Sequence, residues 1–300
     1  GDPLSNIGSY EARVKDFNWK ISEEELEYGK DGNYNIGYFC SDRICENGDG
    51  KKVALLWEGF AGDVKRYTFD DLRIFSNSFA TMLRGLGLTL GDRICVFMDR
   101  IPELYISFLG ILKMGGVVQP LFSAFGEDAL KMRLEDATTK AILTTRKHLG
   151  KVRRIRSMLP ELQWIIVMDA GERSLERGEF GFSMENAPKE EHVEIAVVGP
   201  ETPSVLHYTS GTTGKPKGAL HVHSSIVAQS ITTKWVLDTR GDDLYWCTAD
   251  PGWVTGTSYG IIGPWANGVT QAVLDSGFNT ERWYGFIQKH GITVWYSAPT

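Results

Sequence analysis

Paired cysteines, a basic surplus, long apolar runs and internal repeats are all missing from this 300-residue sequence. The four cysteines (Cys40, Cys45, Cys95 and Cys247) include no C-x-x-C pair, and the Cys40/Cys45 spacing has no second half. That excludes the usual structural zinc pattern and leaves reduced thiols, as expected of a cytoplasmic protein. A net charge of −6 argues against a dedicated nucleic-acid binder. It leaves room for a local basic site on an acidic protein. No apolar run approaches the ~20 residues of a membrane-spanning helix, and the polar, acidic N-terminus has no signal-peptide pattern. Neither a nucleic acid nor a membrane is therefore expected as a partner. What remains, at 42% apolar and 23% charged, is the composition of a globular protein with material for one large domain or two.

From about residue 52 the chain alternates β-rich runs with amphipathic runs. KVALLWE, RICVFM, VVQPLF, KAILTT and QWIIVM read as strands. Between them, residues 67–87 carry a capping-box signature at Thr68 and Asp71 and an apolar stripe of Leu72, Phe75, Phe79, Met82 and Leu83. A helix over 102–113 starts at Pro102 and stops at Gly115-Gly116. GEDALKMRLEDA and KHLGKVRRIRSML read as two more helices. Strands separated by helices of this length predict parallel βαβ units, and the class is α/β. Residues 169–203 break the rhythm with a polar, Gly/Pro-punctuated stretch, read as a surface connection between subdomains. After it come SVLHYT, a Gly-rich loop, ALHV, a helix from about Ser224, and the strands LYWCTA, TQAVL and TVWYS, with TERWYGFIQKH helical between the last two. Residues 1–50 hold scattered aromatics (Phe17, Trp19, Tyr28, Tyr34, Tyr38) and read as an N-terminal wrap rather than a disordered tail.

The densest chemical signal is HYTSGTTGKPKG, residues 207–218. Gly211, Gly214 and Gly218 free the backbone to point successive N–H groups at one anion. Thr209, Ser210, Thr212 and Thr213 add hydroxyl donors, and Lys215 and Lys217 add charge. A plain solvated turn is the alternative, and the two lysines beside four hydroxyls after an apolar strand weigh against it. The loop is not a Walker A motif. The first required Gly falls on Thr209, Pro216 stands where the Mg²⁺-binding hydroxyl belongs, and Pro216 and Gly218 disfavour a helix directly behind Lys215. Nor is it a nucleophile elbow, since Tyr208 sits two residues before Ser210.

YTSGTTGKPKG resembles the signature loop of adenylate-forming enzymes, which comprise acyl-CoA synthetases, luciferase-like ligases and nonribosomal adenylation domains. NIGYFCSDR, RYTFDDL, GLGLTLGDRICVFMDRIPEL, ALKMRLEDA, CTADPGWVTGTSYGIIGPWANG and YSAPT extend the resemblance across most of the chain. Together they are similar to the acetyl-CoA synthetase branch. The resemblance implies stacked α/β subdomains with largely parallel sheets, divided as 51–168 and 204–300. It also implies a short-chain carboxylate–CoA ligase that uses ATP, Mg²⁺ and coenzyme A. The acid is joined to ATP with release of pyrophosphate, and the CoA thiol then attacks the acyl-adenylate. Thr209, Ser210, Gly211, Thr212, Thr213, Gly214, Lys215 and Lys217 would hold the β- and γ-phosphates, or Lys217 would instead orient the loop.

Trp253, Val254 and Thr255 match positions lining the acyl pocket, Thr255 also the CoA approach. The alternative is that Trp253 and Val254 are core. For Thr255 a lining role is favoured by Gly252 and Gly256, which imply close backbone packing. Residues 144–156 hold six Lys/Arg and no acid, with Lys147, Lys151 and Arg154 on one helical face. The basic run is either a solvated face or, as the resemblance implies, a contact for the 3′-phosphate of CoA through Arg146, Arg153 and Arg154, with Asn279 a further CoA candidate. His207, His221 and His223 read as structural, having no carboxylate partner evident in sequence. The family's adenine-contacting motif, hinge and catalytic lysine are expected beyond Thr300. So is the tryptophan that closes the acyl pocket, which leaves acetate against larger acids open. Residues 1–300 by themselves are therefore expected not to make acyl-CoA. Two other readings stand beside this one: a catalytically silent nucleotide-binding or regulatory module of the same fold, and a phosphotransferase. Product analysis separates them.

Overall fold

The computed structural model describes residues 18–209 and 215–297. Its strands are β1 (Val53–Glu58), β2 (Val64–Thr68), β3 (Arg93–Val96), β4 (Val117–Pro120), β5 (Ala141–Thr144), β6 (Trp164–Val167), β7 (Glu179–Gly181), β8 (Pro203–Thr209), β9 (Lys217–Val222), β10 (Leu244–Cys247), β11 (Thr270–Leu274) and β12 (Val294–Tyr296). The longer helices are α1 (Trp19–Leu26), α2 (Phe69–Gly85), α3 (Pro102–Lys113), α4 (Glu127–Asp136), α5 (Arg146–Arg156), α6 (Ser225–Val236) and α7 (Thr280–His290). Among the described residues the strands form a five-stranded sheet, β12-β10-β11-β1-β2, and a seven-stranded sheet, β7-β6-β5-β3-β4-β8-β9. Every neighbouring pair is parallel except β1–β2 and β8–β9. Both sheets draw strands from each side of residues 169–203, so the strands are shared across the expected 51–168 and 204–300 units rather than partitioned between them.

The layering arises from the period of two along each strand. In β3, Ile94 and Val96 join a core cluster with α2, α3 and the other sheet, while Cys95 and Phe97 face α4 and α5. In β1, Leu55 and Trp57 join that same central cluster, while Leu56 packs with Trp246 of β10 and Phe286 of α7. Helices α2 and α3 therefore lie between the two sheets, with α4 and α5 outside one and α7 outside the other. Strands covered on both faces read as continuous apolar runs, which is why VALLWE and QWIIVM lack alternation. A helix between two sheets must likewise be apolar nearly all round, and every residue of α3 but the half-buried Glu103 is buried. It meets α2 closely at Gly110, where a Cβ would stand 2.5 Å from the Cβ of Phe79.

Helix α2 begins with both bonds of its capping box: Asp71 N–H donates to Thr68 Oγ1 at 3.1 Å, and Thr68 N–H to Asp71 Oδ2 at 2.8 Å. Residues 18–50 pack into the body of the molecule. Ile36, Phe39 and Cys40 are buried, Ser22 Oγ donates to Val227 O at 2.6 Å, and Asn35 Nδ2 to Leu112 O at 2.8 Å. The fully buried Lys113 pairs with Asp42 at 2.6 Å and donates to Asn77 Oδ1 at 2.9 Å. Residues 185–191 run along the end of β2 and α2, joined through Tyr67 OH to Glu185 (2.5 Å) on β2, and through Asn77 Nδ2 to Glu190 O (3.0 Å) and Ser78 Oγ to Pro188 O (3.0 Å) on α2.

Candidate active site

Strand β8 runs parallel to β4 and antiparallel to β9, with Tyr208 opposite Gly218 and Thr209 opposite Lys217. Strands β8 and β9 thus form an antiparallel pair whose facing ends, Thr209 and Lys217, lie at the carboxyl edge of the seven-stranded sheet. The chain leaves the Gly-rich loop as a strand and not as a helix, in keeping with Pro216 and Gly218 and unlike a kinase-type phosphate loop. Thr209, Lys215 and Lys217 are exposed at this edge. Ser210, Gly211, Thr212, Thr213 and Gly214 lie outside the described residues. Below the loop, the buried Tyr208 ring donates its hydroxyl to Asp136 at 2.6 Å, anchoring β8 to α4.

Beside β4, the carboxyl ends of both sheets open on one cleft of about 400 Å³. Each wall residue stands directly behind a parallel strand: Phe60 after β1, Asp99 and Arg100 after β3, Phe122 and Ser123 after β4, Lys147 after β5, Asp250 after β10 and Asp275 after β11. Ligand sites of open α/β sheets form at this edge because the crossovers leave it uncovered. Asp99 accepts from Ser123 Oγ at 2.8 Å and Lys147 Nζ at 2.6 Å, and lies 2.9 Å from His148 Nε2. The His148 hydrogen bond, against the cost of burial and with Lys147 and Ser123 adding to it, holds this carboxyl well below its ordinary range. Asp275 is shifted the other way, pushed up to about 6 by burial and by the neighbouring Asp99 charge.

Asp250, which lines this cleft, opens a tight turn that enters the helical stretch Val254–Thr257. Asp250 Oδ1 accepts from Gly252 N–H at 2.7 Å, and Asp250 O from Trp253 N–H at 3.0 Å. Both glycines are sterically required. A Cβ on Gly252 would stand 2.7 Å from Phe122 N, and one on Gly256 would stand 2.0 Å from Asp250 O. Trp253 is 45% exposed and packs on Phe122 and Phe125, with centroids 5.9 and 6.2 Å away. Val254 is exposed and Thr255 half-buried. Strand β8 approaches the same turn: His207 is buried there, and the Gly252 backbone is among the groups acting on its ring. Its pKa is lowered to about 4 by burial, with the nearby His221 adding to the shift.

The basic helix divides its charges. Lys147 reaches Asp99, and Lys151 donates to the Ser123 and Phe125 carbonyls at 3.1 and 3.0 Å, so these two face the cleft wall. Arg153 forms a bidentate pair with Glu179 of β7 at 2.8 and 2.6 Å, and Arg154 pairs with Glu127 of α4. The structure thus does not gather Arg146, Arg153 and Arg154 into one cluster; the exposed Arg146 gives its backbone N–H to Asp169 at 2.7 Å. Asn279 caps α7, its side chain accepting from Arg282 N–H at 3.0 Å. His223 accepts from Ile36 N–H at 3.0 Å and so holds the N-terminal segment. The sequence does not single out Asp99, Arg100, Phe122 and Asp275 as site residues, although Asp99 and Arg100 lie in the stretch GLGLTLGDRICVFMDRIPEL. Their position immediately behind a strand was the available signal, and nothing in a single strand says which other strand ends face it.

Residues 43–300 match the model of the AMP-binding enzyme family, and the chain belongs to that family. It is 42% identical over 298 residues to the acetyl-coenzyme A synthetase of Bacillus subtilis (strain 168), an alignment covering 98% of this chain and 51% of that protein. Its identity to the Streptomyces coelicolor acetyl-coenzyme A synthetase is 35% over 289 residues, covering 90% of this chain and 44% of that one. The fold resembles the crystal structure of Brucella canis acyl-CoA synthetase, with a TM-score of 0.85 and 27% identity over 95% of this chain and 51% of that chain. The chain spans about half the length of the curated relatives it matches. Among the described residues, no helix is long and apolar enough to cross a membrane, and no group of His, Cys, Asp and Glu is arranged to hold a metal ion.

Proposed function

We propose that this chain carries the phosphate loop and part of the carboxylate pocket of a short-chain carboxylate–CoA ligase. ATP and the acid would form an acyl-adenylate with loss of pyrophosphate, and CoA would then take the acyl group as a thioester. The observation that carries the reading is the β8–β9 pair, whose ends Thr209 and Lys217 lie at the carboxyl edge of the seven-stranded sheet, one strand from the cleft. Family membership and the named relatives support it.

The chemistry suits the residues. In the first half-reaction negative charge grows on the departing pyrophosphate, and fixed donors aimed at that charge lower the barrier. Backbone amides and hydroxyls of residues 209–214, with Lys215 or Lys217, supply such donors to the β- and γ-phosphates, and Mg²⁺ enters with ATP as substrate. Trp253, Val254 and Thr255 border the acid, and Thr255 the path of the thiol. For CoA, Arg146, Arg153, Arg154 and Asn279 stay candidates. A 3′-phosphate reaching Arg153 or Arg154 would have to share a guanidinium already paired with Glu179 or Glu127.

The test is carboxylate-dependent exchange of labelled pyrophosphate into ATP by the full-length protein, with acetate, propionate and butyrate. Exchange that depends on acetate and falls at least about a hundredfold in a Lys215→Ala/Lys217→Ala variant is the expected result. Formation of ADP and a phosphorylated acceptor, without exchange, would overturn it in favour of phosphotransfer.

A further inference from the structure

We propose that Arg100 is a positioning residue for the carboxylate pocket: from the end of β3 it clamps the 250–257 turn, and so helps decide which acid the pocket accepts. This rests on reading that turn as a pocket wall.

The guanidinium engages the turn at Asp250 and the chain entering it at Thr248. Its Nε donates to Asp250 Oδ2 at 3.2 Å and its Nη1 to Thr248 O at 3.0 Å. The other carboxylate oxygen of Asp250 already holds Gly252 N–H at 2.7 Å, so the arginine fixes the group that shapes the turn. Arg100 is itself fixed, because Trp57 Nε1 on β1 donates to its carbonyl at 2.7 Å. A continuous path of hydrogen bonds therefore runs from β1 in one sheet, through the end of β3 in the other, to Gly252.

Two features make this more than a stabilising ion pair. First, the pair sits in the wall of the cleft, with Arg100 and Asp250 side chains 21% and 13% exposed, and not in the packed interior. Second, the turn has no slack. The Cβ positions of Gly252 and Gly256 are filled by Phe122 N and Asp250 O, so a displaced Asp250 carries Trp253, Val254 and Thr255 with it. A planar fork with two fixed donors suits this task better than a lysine, whose single ammonium would serve one acceptor well.

The experiment compares Arg100→Met and Arg100→Lys with the unchanged full-length protein in the pyrophosphate-exchange assay, varying acid and ATP separately. For Arg100→Met, the KM for acetate should rise about tenfold or more, as expected when a reactant is misplaced by a fraction of an ångström. The KM for ATP should stay within about twofold, and kcat/KM for butyrate relative to acetate should increase. Arg100→Lys should recover part of the loss and keeps the test meaningful if the methionine variant folds poorly. Equal rises in both KM values, or no change in either, would overturn the proposal. In parallel, hydrogen–deuterium exchange of residues 250–257 is measured in the same variants. Faster exchange there with β3 unchanged supports the clamp, and unchanged exchange refutes it. Absence of pyrophosphate exchange by the unchanged protein with every acid would defeat the functional reading alone, since the deuterium measurement still decides the clamp.

Discussion

At the scale of single residues, the tightest constraint near the candidate site is the backbone at Gly256. Its missing side chain would meet the Asp250 carbonyl oxygen at 2.0 Å and its carbon at 2.4 Å, atoms that cannot swing aside as a side-chain tip can. Gly256→Ala is therefore expected to cost about 2 kcal/mol of stability, measured by urea unfolding, and to weaken acid-dependent exchange. Gly285 supplies the contrast. It lies inside α7 with nothing within 4 Å of its Cβ position, so Gly285→Ala should stabilise by up to about 1 kcal/mol through helix propensity. Destabilisation of similar size in both variants would contradict the steric account. The two-glycine spacing in DPGWVTG was legible in the sequence as close packing. Its partners were not, because Phe122 is more than a hundred residues away along the chain.

At the scale of elements, strong local signals and observed bounds coincide. Helix α3 spans Pro102–Lys113, α7 spans Thr280–His290 and β11 spans Thr270–Leu274, as their caps and flanking glycines imply. Strands β2 and β7 have no comparable signal in the sequence. β7 has three residues, and β2 carries the exposed Lys65 and Arg66 in its middle, with Tyr67 its one buried side chain. The helical turns between residues 38 and 49 are equally silent, since their burial comes from contact with α3 and residues near 262 and not from a period within the segment. For α2 the capping box gives a direct expectation. Thr68→Ala removes the acceptor of the Asp71 N–H and should lower stability by about 1 kcal/mol without altering the cleft, checked by denaturant unfolding alongside exchange activity. A loss of activity with unchanged stability would show that α2 acts on the site in some other way.

At the scale of the whole molecule, burial links stability to pH. His207 and His223 have pKa values lowered to about 4 by burial, against an ordinary 6.5. Between those values the unfolded chain binds more protons than the folded one, so stability falls as pH drops from about 6.5 to about 4. Asp275 opposes this. Raised to about 6 from 3.8, it contributes stability at low pH that fades as pH climbs through that window. Asp99 and Glu58, both held low against the cost of burial by hydrogen bonds with His148, Lys147 and Ser123 in one case and Lys289 and His290 in the other, lose their contributions as pH falls and side with the histidines. Unfolding free energy should therefore be smaller at pH 5 than at pH 7. His223→Gln, which keeps an acceptor for Ile36 N–H, should shrink that difference. An unchanged pH dependence in that variant would remove His223 from the account.

The sequence by itself determined the class of fold and most of the regular elements, because caps and apolar period are local properties carried by neighbouring residues. The tertiary structure alone decided which strand ends share a cleft, that Arg100 reaches Asp250, and that Arg153 and Arg154 turn to Glu179 and Glu127 instead of to a common site. These depend on strand order, and the order β12-β10-β11-β1-β2 brings together segments more than two hundred residues apart. Pairing at that range is set by how two sheets bury α2 and α3 between them, a condition on the whole chain that no single stretch of it records.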